Sequence, residues 1–416
     1  MEKKTILALI MGGSMILTAC GKSAAVSEAV ENASIQQSIE DSGEQETAEA
    51  ETSASSESKH SGKKSEHSSD KKTGMKSKEK TDESGDPSDS AVKSTLSDGD
   101  EVSGESYTAT EADESAVDVS GDITASINDS TIQKISGDAT SADDSSFKGV
   151  NAAVRVYGNA TLNISGSKIT ADAQNATGVF AYDNGTIYIS DSTVDVTGGG
   201  AGGIQVAGGG TLYAKNLTVT SASKAAIRSD RGGGILVVDG GTYTSTGSSG
   251  CPAIYSTAEI TVKDADCISE NSRAVIIEGK NSVTLNNCTL TGNDQSTKEG
   301  SIKANVLLYQ SASGDADEGT SVFTMNGGSC TLNATDQELQ GSITVDEISS
   351  LEINLINSAY EGSINENGEA GTVSVKLDDS STWTLTADAY ITEFDGNLEN
   401  VTASGHHLYV NGEQVI

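Results

Sequence analysis

The feature that most constrains this chain is a pattern of short apolar alternations recurring every 21 to 31 residues. One series runs Val154, Val179, Ile204, Ile227, Ile254, Val275 and Val306, and a second runs Leu162, Ile187, Leu212, Leu236, Ile260, Val283 and Phe323. Each anchor opens a pair two residues apart, such as Val154 with Val156 or Ile187 with Ile189, which is the period of a strand buried on one face. A third series follows at Ile169, Val194, Val219, Tyr243, Cys267, Leu290 and Cys330. Between the second and third stand Gly166, Asp191, Asn216, Gly240, Asp264, Asn287 and Gly327, residue types that tolerate left-handed backbone angles, so every coil bends at one place.

A single coil of this kind cannot bury its own apolar side and must stack on the next. The pattern predicts an all-β chain, a right-handed parallel β-helix solenoid. Leucine-rich repeats would need a spaced Leu and Asn signature, and a propeller would need antiparallel hairpins at a longer period. The first rungs are expected near Tyr107, with main rungs over 106–330 and shorter rungs and a C-terminal cap over 331–416. Gly341-Ser342-Ile343 returns 21 residues later as Gly362-Ser363-Ile364, and the aromatic segment Trp383 to Tyr409 reads as the cap.

What precedes the repeat is different in kind. Lys3 and Lys4 followed by the apolar stretch Ile6 to Leu17 form an export signal over 1–20, too short for a stop-transfer helix. It closes on Leu17-Thr18-Ala19-Cys20, which resembles the lipobox of bacterial lipoproteins; the resemblance implies a diacylated Cys20 as the attachment to the lipid bilayer. Residues 21–105 are rich in Ser, Glu, Lys and Asp and poor in branched apolar and aromatic residues, the composition of a disordered tether. Lys59 to Lys80 concentrates positive charge that either touches anionic wall polymer or lipid, or is simply solvated. The expected location is extracytoplasmic, lipid-anchored and exposed at the cell surface.

Composition removes several function classes. With 61 Asp and Glu against 26 Lys and Arg the net charge is −35, which argues against nucleic acid as a partner. The four histidines, His60, His67, His406 and His407, all lie outside residues 68–405, so His-based triads and HExxH metal sites are absent from the body of the repeat. Gly198 to Gly203 imitates a dinucleotide loop but connects strand to strand and opens no helix. Cys251, Cys267, Cys288 and Cys330 are even in number; three of them occupy inward or near-inward positions and read as small core residues.

Three runs carry a family resemblance: Arg228-Ser229-Asp230-Arg231-Gly232-Gly233-Gly234, Ala253-Ile254-Tyr255-Ser256-Thr257-Ala258-Glu259-Ile260-Thr261-Val262 and Glu278-Gly279-Lys280-Asn281-Ser282. They resemble surface-exported right-handed β-helix proteins of Gram-positive anaerobes. The resemblance, covering about 150–416, implies a pectate-lyase-like fold and an extracellular setting, with no settled activity.

The outward ladders supply the candidate site. One residue after each first anchor come Arg155, Phe180, Gln205, Arg228, Tyr255, Ile276 and Leu307; three after it come Tyr157, Tyr182, Ala207, Asp230, Thr257, Glu278 and Tyr309. Flat aromatics beside guanidinium, amide and carboxylate groups suit sugar rings and their hydroxyls. Lys224, Arg228, Arg231, Arg273 and Lys280 add local positive charge, either a patch for an anionic glycan or one half of cross-rung ion pairs with Asp230 and Glu278. The second outward ladder, Asn163, Tyr188, Tyr213, Val237, Thr261, Thr284 and Thr324, reads as the blander face.

These observations lead to a non-catalytic binder of glycans or other cell-surface ligands, in adhesion or polysaccharide capture, using Arg155, Tyr157, Phe180, Tyr182, Gln205, Arg228, Asp230, Arg231, Tyr255, Glu278 and Lys280. The alternatives are a lyase or hydrolase of acidic polysaccharide, with Arg228, Asp230 and Lys280 as candidate catalytic groups, and a structural spacer or protein-binding adhesin. The motif runs of inverting hydrolases on this fold do not occur in the sequence. No cofactor is expected; calcium is suggested by Asp315, Asp317 and Glu318, half of a calcium-loop pattern without its bidentate Glu, and in the lyase alternative by Asp230 with Glu278, which stand two rungs apart with Thr257 between them. A monomer is the expected state.

Overall fold

The computed structural model describes residues 96–230, 232–248, 251–277, 279–293, 306–308, 329–345, 347, 349–368 and 371–416, with backbone alone at 280 and 306–308. The export signal, Cys20 and nearly all of the tether lie outside these residues. So do Arg231, Glu278, Tyr309, Asp315, Asp317, Glu318, Phe323, Thr324 and Gly327. Among the described residues no helix is long and apolar enough to cross a membrane.

The chain winds into a parallel β-solenoid of the right-handed type, with about ten turns. An eight-stranded sheet runs Val117–Ser120, Val154–Tyr157, Val179–Tyr182, Ile204–Ala207, Ile227–Ser229, Ile254–Ser256, Val275–Ile277 and Val306–Leu308, every neighbouring pair parallel. Its register joins Val154, Val179, Ile204, Ile227, Ile254, Val275 and Val306 in one column, the first series of anchors. The second series likewise forms one column from Leu162 to Val283 in the larger, 17-stranded sheet. Val283 then pairs with Leu332, not Phe323. The 49-residue interval between them breaks the period, and the spacing rule fails with it. For the same reason Cys330 stands in the second sheet between Asn281 and Leu351 and not in the third column.

The described inward side chains are buried and form one cluster from Ala109 to Leu408. A buried Val, Leu or Ile contributes roughly 1.5–3 kcal/mol, so this column stack is the main stabilising term. Cys267, Cys288 and Cys330 are buried, unpaired members of it, and burial first of all pushes their thiols up, Cys330 to about 12.

The corner is left-handed at Gly166, Asp191, Asn216, Gly240, Asp264 and Asn287, with φ from 49° to 75°, and again at Asp129, Asp336 and Asn357. Side chains at these corners bond along the axis. Asn216 Nδ2 donates to Asp191 Oδ1 at 3.2 Å and Asn287 Nδ2 to Asp264 Oδ1 at 2.6 Å, with Asn357 Nδ2 to Asp336 Oδ1 at 2.5 Å. The Asp264 carboxyl is held below its ordinary value by the Asn287 amide and then by Lys263.

The solenoid begins at Glu101–Ser103, earlier than Tyr107. At the other end Trp383 is a core residue of a parallel rung, between Tyr360 and Val401, with its indole N–H on the Gly362 carbonyl at 3.0 Å. The closing element is smaller than the aromatic segment: Glu413–Gln414 folds back antiparallel on Leu408–Val410 through Asn411 and Gly412, both at positive φ. The repeat Ile343 to Ile364 is a direct parallel bridge between successive rungs.

Candidate functional site

The first outward ladder exists as read, but it is not an open surface. Arg155, Phe180, Gln205, Arg228, Tyr255, Ile276 and Leu307 fall in one register column, extended to Asp118. Yet Arg155 is 1%, Phe180 0%, Gln205 1%, Arg228 6%, Asp230 1% and Tyr255 7% exposed. The expectation of an exposed stacking ladder through these residues is corrected by what lies on it.

The cover over the N-terminal part is a helix, α1 (Ala142–Lys148), in the connection between Thr131–Lys134 and Val154–Tyr157. Its ends are locally specified. Ser141 Oγ accepts from the Asp144 N–H at 3.1 Å, Asp143 and Asp144 occupy the first turn, Lys148 bonds Asp144 at 2.8 Å, and Gly149 closes the helix at φ 70°. Below it the ladder donates upward. Arg155 Nε bonds the Lys148 carbonyl at 2.8 Å, Gln205 Nε2 the Ser146 carbonyl at 2.8 Å, and Lys224 Nζ the Ser146 hydroxyl at 3.0 Å. Phe180 packs with Ala152 and Ala207, and a Cβ on Gly149 would meet its ring at 2.6 Å. The helix is an insertion in a single rung, invisible to a repeat search, although Ser141-x-x-Asp144 and the Lys148-Gly149 stop are present in the sequence.

The charges of this ladder are mostly committed to each other. Arg228 Nε and Nη2 both donate to Asp230 Oδ2, at 3.1 and 2.8 Å, and the guanidinium lies 4.4 Å over the Tyr255 ring. Arg155 sits 4.1 Å over Tyr157 and 3.6 Å from Asp118. Burial pushes the Asp118 carboxyl up to about 6 against the opposing pull of Arg155, and its two oxygens accept no hydrogen bond among the described residues. Tyr157 and Tyr182 are half-buried, and the Tyr182 ring lies across Gly208. Lys280 takes its place in the second sheet opposite Ser329.

The face read as bland carries the open aromatic. Tyr188 is 47% exposed and stacks on Tyr213 with ring centroids 4.9 Å apart and planes 8° from parallel. Flat rings touch at about 3.5–4 Å, so this pair is shingled, with the ring faces offset. Burial, and then the neighbouring Tyr188, pushes the Tyr213 phenol up. The ladder continues as Asn163, next to Tyr188, and as Val237 and Thr261 beyond Tyr213. Beside it runs a hydroxyl column of Thr161, Thr186 and Thr211, and on its other side Ser165, Ser190 and Lys215. Asn333 takes the place read for Thr324, receives the Asn354 amide at 2.9 Å and donates to Thr284 at 3.5 Å. The alternation in Thr186-Ile187-Tyr188-Ile189 places Tyr188 outward, and among the described residues no insertion like α1 crosses it.

No group of three or more His, Cys, Asp or Glu suited to a metal ion occurs among the described residues. Gly198 to Gly203 links Thr193–Val196 to Ile204–Ala207 without a helix, as expected of a corner. Comparison with family models, curated proteins and solved structures finds no match. The fold and the two faces define a repeat scaffold of the parallel β-helix class with one covered and one open ladder.

Proposed function

We propose that the protein is a non-catalytic, carbohydrate-binding β-helix, exported, held to the membrane through an acylated Cys20 and displayed at the cell surface for adhesion or polysaccharide capture. The observation that carries this reading is the Tyr188–Tyr213 pair, an exposed shingled aromatic on a flat sheet face of hydroxyls and amides. An aromatic face stacks on the apolar C–H face of a pyranose, while Asn163, Thr186 and Ser190 on neighbouring positions offer donors and acceptors to its hydroxyls. A rigid parallel sheet holds these groups at rung spacing, so little ordering entropy opposes binding.

The test is a glycan array probed with residues 21–416 and with Tyr188→Ala and Tyr213→Ala. Binding to a restricted glycan set that falls at least tenfold in Tyr188→Ala supports the reading. No bound glycan, or binding indifferent to both changes, overturns it.

A further inference from the structure

The helix α1 covers the first ladder in an unusual way for a packed helix. Of its seven residues only Ser145 is buried, and it carries no apolar stripe; Ser145 bonds the Asn175 carbonyl, and Ser146 and Lys148 are met by Lys224, Gln205 and Arg155. A two-turn helix gains almost nothing from its own propensity and is ordinarily held by an apolar face. Here, beside a half-buried Phe147, the contacts to Ser145, Ser146 and Lys148 are hydrogen bonds that water can replace. Such an element belongs to the low-stability end of the molecule.

Ser145 donates to the Asn175 carbonyl, but the three contacts nearer the C-terminus of the helix have the opposite sign. The solenoid supplies the donors, Arg155 Nε, Gln205 Nε2 and Lys224 Nζ, and α1 supplies the acceptors near its C-terminus, where the helix carries a partial negative charge. Donors from separate rungs, about 4.7–4.9 Å apart per rung, are thus arranged for an acceptor-rich chain running along the solenoid axis. We infer that α1 is a detachable plug: it occupies, as an internal stand-in, a groove that binds an extended carboxylate-bearing polysaccharide when the helix lifts. Lifting uncovers Phe180 as an aromatic floor together with Arg155, Gln205 and Lys224, the ladder that the sequence presents as a glycan face. This site is separate from Tyr188 and Tyr213. It shares with the proposed function only the class of ligand.

The test uses residues 21–416, a hyaluronate oligosaccharide as the carboxylate-bearing probe and a chitin oligosaccharide of equal length as the uncharged one. At φ 70° and with the Phe180 ring 2.6 Å from its Cβ position, Gly149 does not accommodate valine, so Gly149→Val is expected to displace α1 while the donors Arg155, Gln205 and Lys224 stay unchanged in sequence. The expected result is at least tenfold tighter hyaluronate binding in Gly149→Val than in wild type, no such gain for chitin oligosaccharide, and loss of the gain when Lys224→Met is added. Equal hyaluronate affinity in the two folded proteins, or a gain that survives Lys224→Met, overturns the inference. So does a gain abolished by Tyr188→Ala, which would place the ligand on the other face. A gain that persists in Tyr188→Ala while array binding is lost supports both sites separately; a gain with no tyrosine-dependent binding keeps the plug and removes the proposed function. Should Gly149→Val not fold, amide exchange in wild type decides: exchange across 143–150 at least tenfold faster than across Ile204–Ala207 supports the plug, and equal protection overturns it.

Discussion

Two ladders of the same solenoid carry similar chemistry and meet opposite fates. The first presents Arg155, Phe180, Gln205 and Arg228, all nearly inaccessible; the second presents Asn163, Tyr188 and Tyr213, with Tyr188 about half open. Both are outward by strand alternation. Over Arg155, Phe180 and Gln205 the difference is made by α1 and its Gly149 cap, which have no counterpart on the Tyr188 ladder among the described residues; Arg228 is closed in by Asp230 and Tyr255. An outward position in a β-helix is therefore a statement about direction, and exposure is decided by what a single rung inserts above it.

The largest way to break this comparison is Phe180→Ala. If Phe180 is a second, external core residue, its loss costs about 3–5 kcal/mol, the range for truncating a buried Phe. Because a repeat array loses structure by neighbouring units, the measurement is amide protection across Val154–Ala207 together with urea unfolding. A loss below about 1 kcal/mol would show that Phe180 is not packed between Ala152, Ala207 and the Gly149 turn.

Next comes Asp118, the buried carboxyl at the start of the covered ladder. Its folded value of about 6 lies above the ordinary 3.8, so the protonated form is favoured in the fold. Its stabilising contribution is complete below about pH 4 and is lost as pH rises through 6. Asp118→Asn removes this dependence, and its stability relative to wild type should grow by on the order of 2–3 kcal/mol between pH 4 and pH 7, read by denaturant unfolding at each pH. A flat difference would mean that Asp118 is ionised at no cost and that the N-terminal end of the ladder is open to water.

A corner residue belongs to neither ladder and calibrates both. Asn216→Ala forces an ordinary side chain to φ 51° and removes the bond to Asp191, at about 1–2 kcal/mol, whereas Asn216→Gly keeps the angle and loses less. Urea midpoints of the two variants separate backbone strain from the lost amide. The smallest effect on stability is expected at Tyr188→Ala, within about 1 kcal/mol as for a partly exposed cross-strand pair, although this is the change with the largest expected effect on glycan binding. If the solenoid unfolds instead, Tyr188 is structural.

Much of the architecture was legible because the repeat over-determines it. Seven first-series anchors and six of the second sit in their read columns, and six of the corner positions have positive φ, since alternation and the need for a left-handed residue act at every rung. Where the interval lengthens to 49 residues the same rule chose Phe323 in place of Leu332, because periodicity cannot tell which apolar residue re-enters the stack. The segment Trp383 to Tyr409 reads as a cap because an open solenoid end exposes core and strand edges, yet Trp383 itself fills a rung, since aromatic bulk suits either an end or a wide core. The site was legible in residue type and column, not in access. Tyr188 and Arg155 are equally outward in sequence, and only a helix encoded by Ser141, Asp144 and Gly149 distinguishes them.

The corner bonds have a further consequence, for chemical ageing. Asn216, Asn287 and Asn357 each give an amide to an Asp on a neighbouring corner. Hydrolysis of any one of these amides to a carboxylate would set two negative charges at hydrogen-bond distance on the surface of a molecule already at −35, and replace a bond along the axis by a repulsion. In this solenoid, three amides at its edge thus act as a clock that the apolar core does not share.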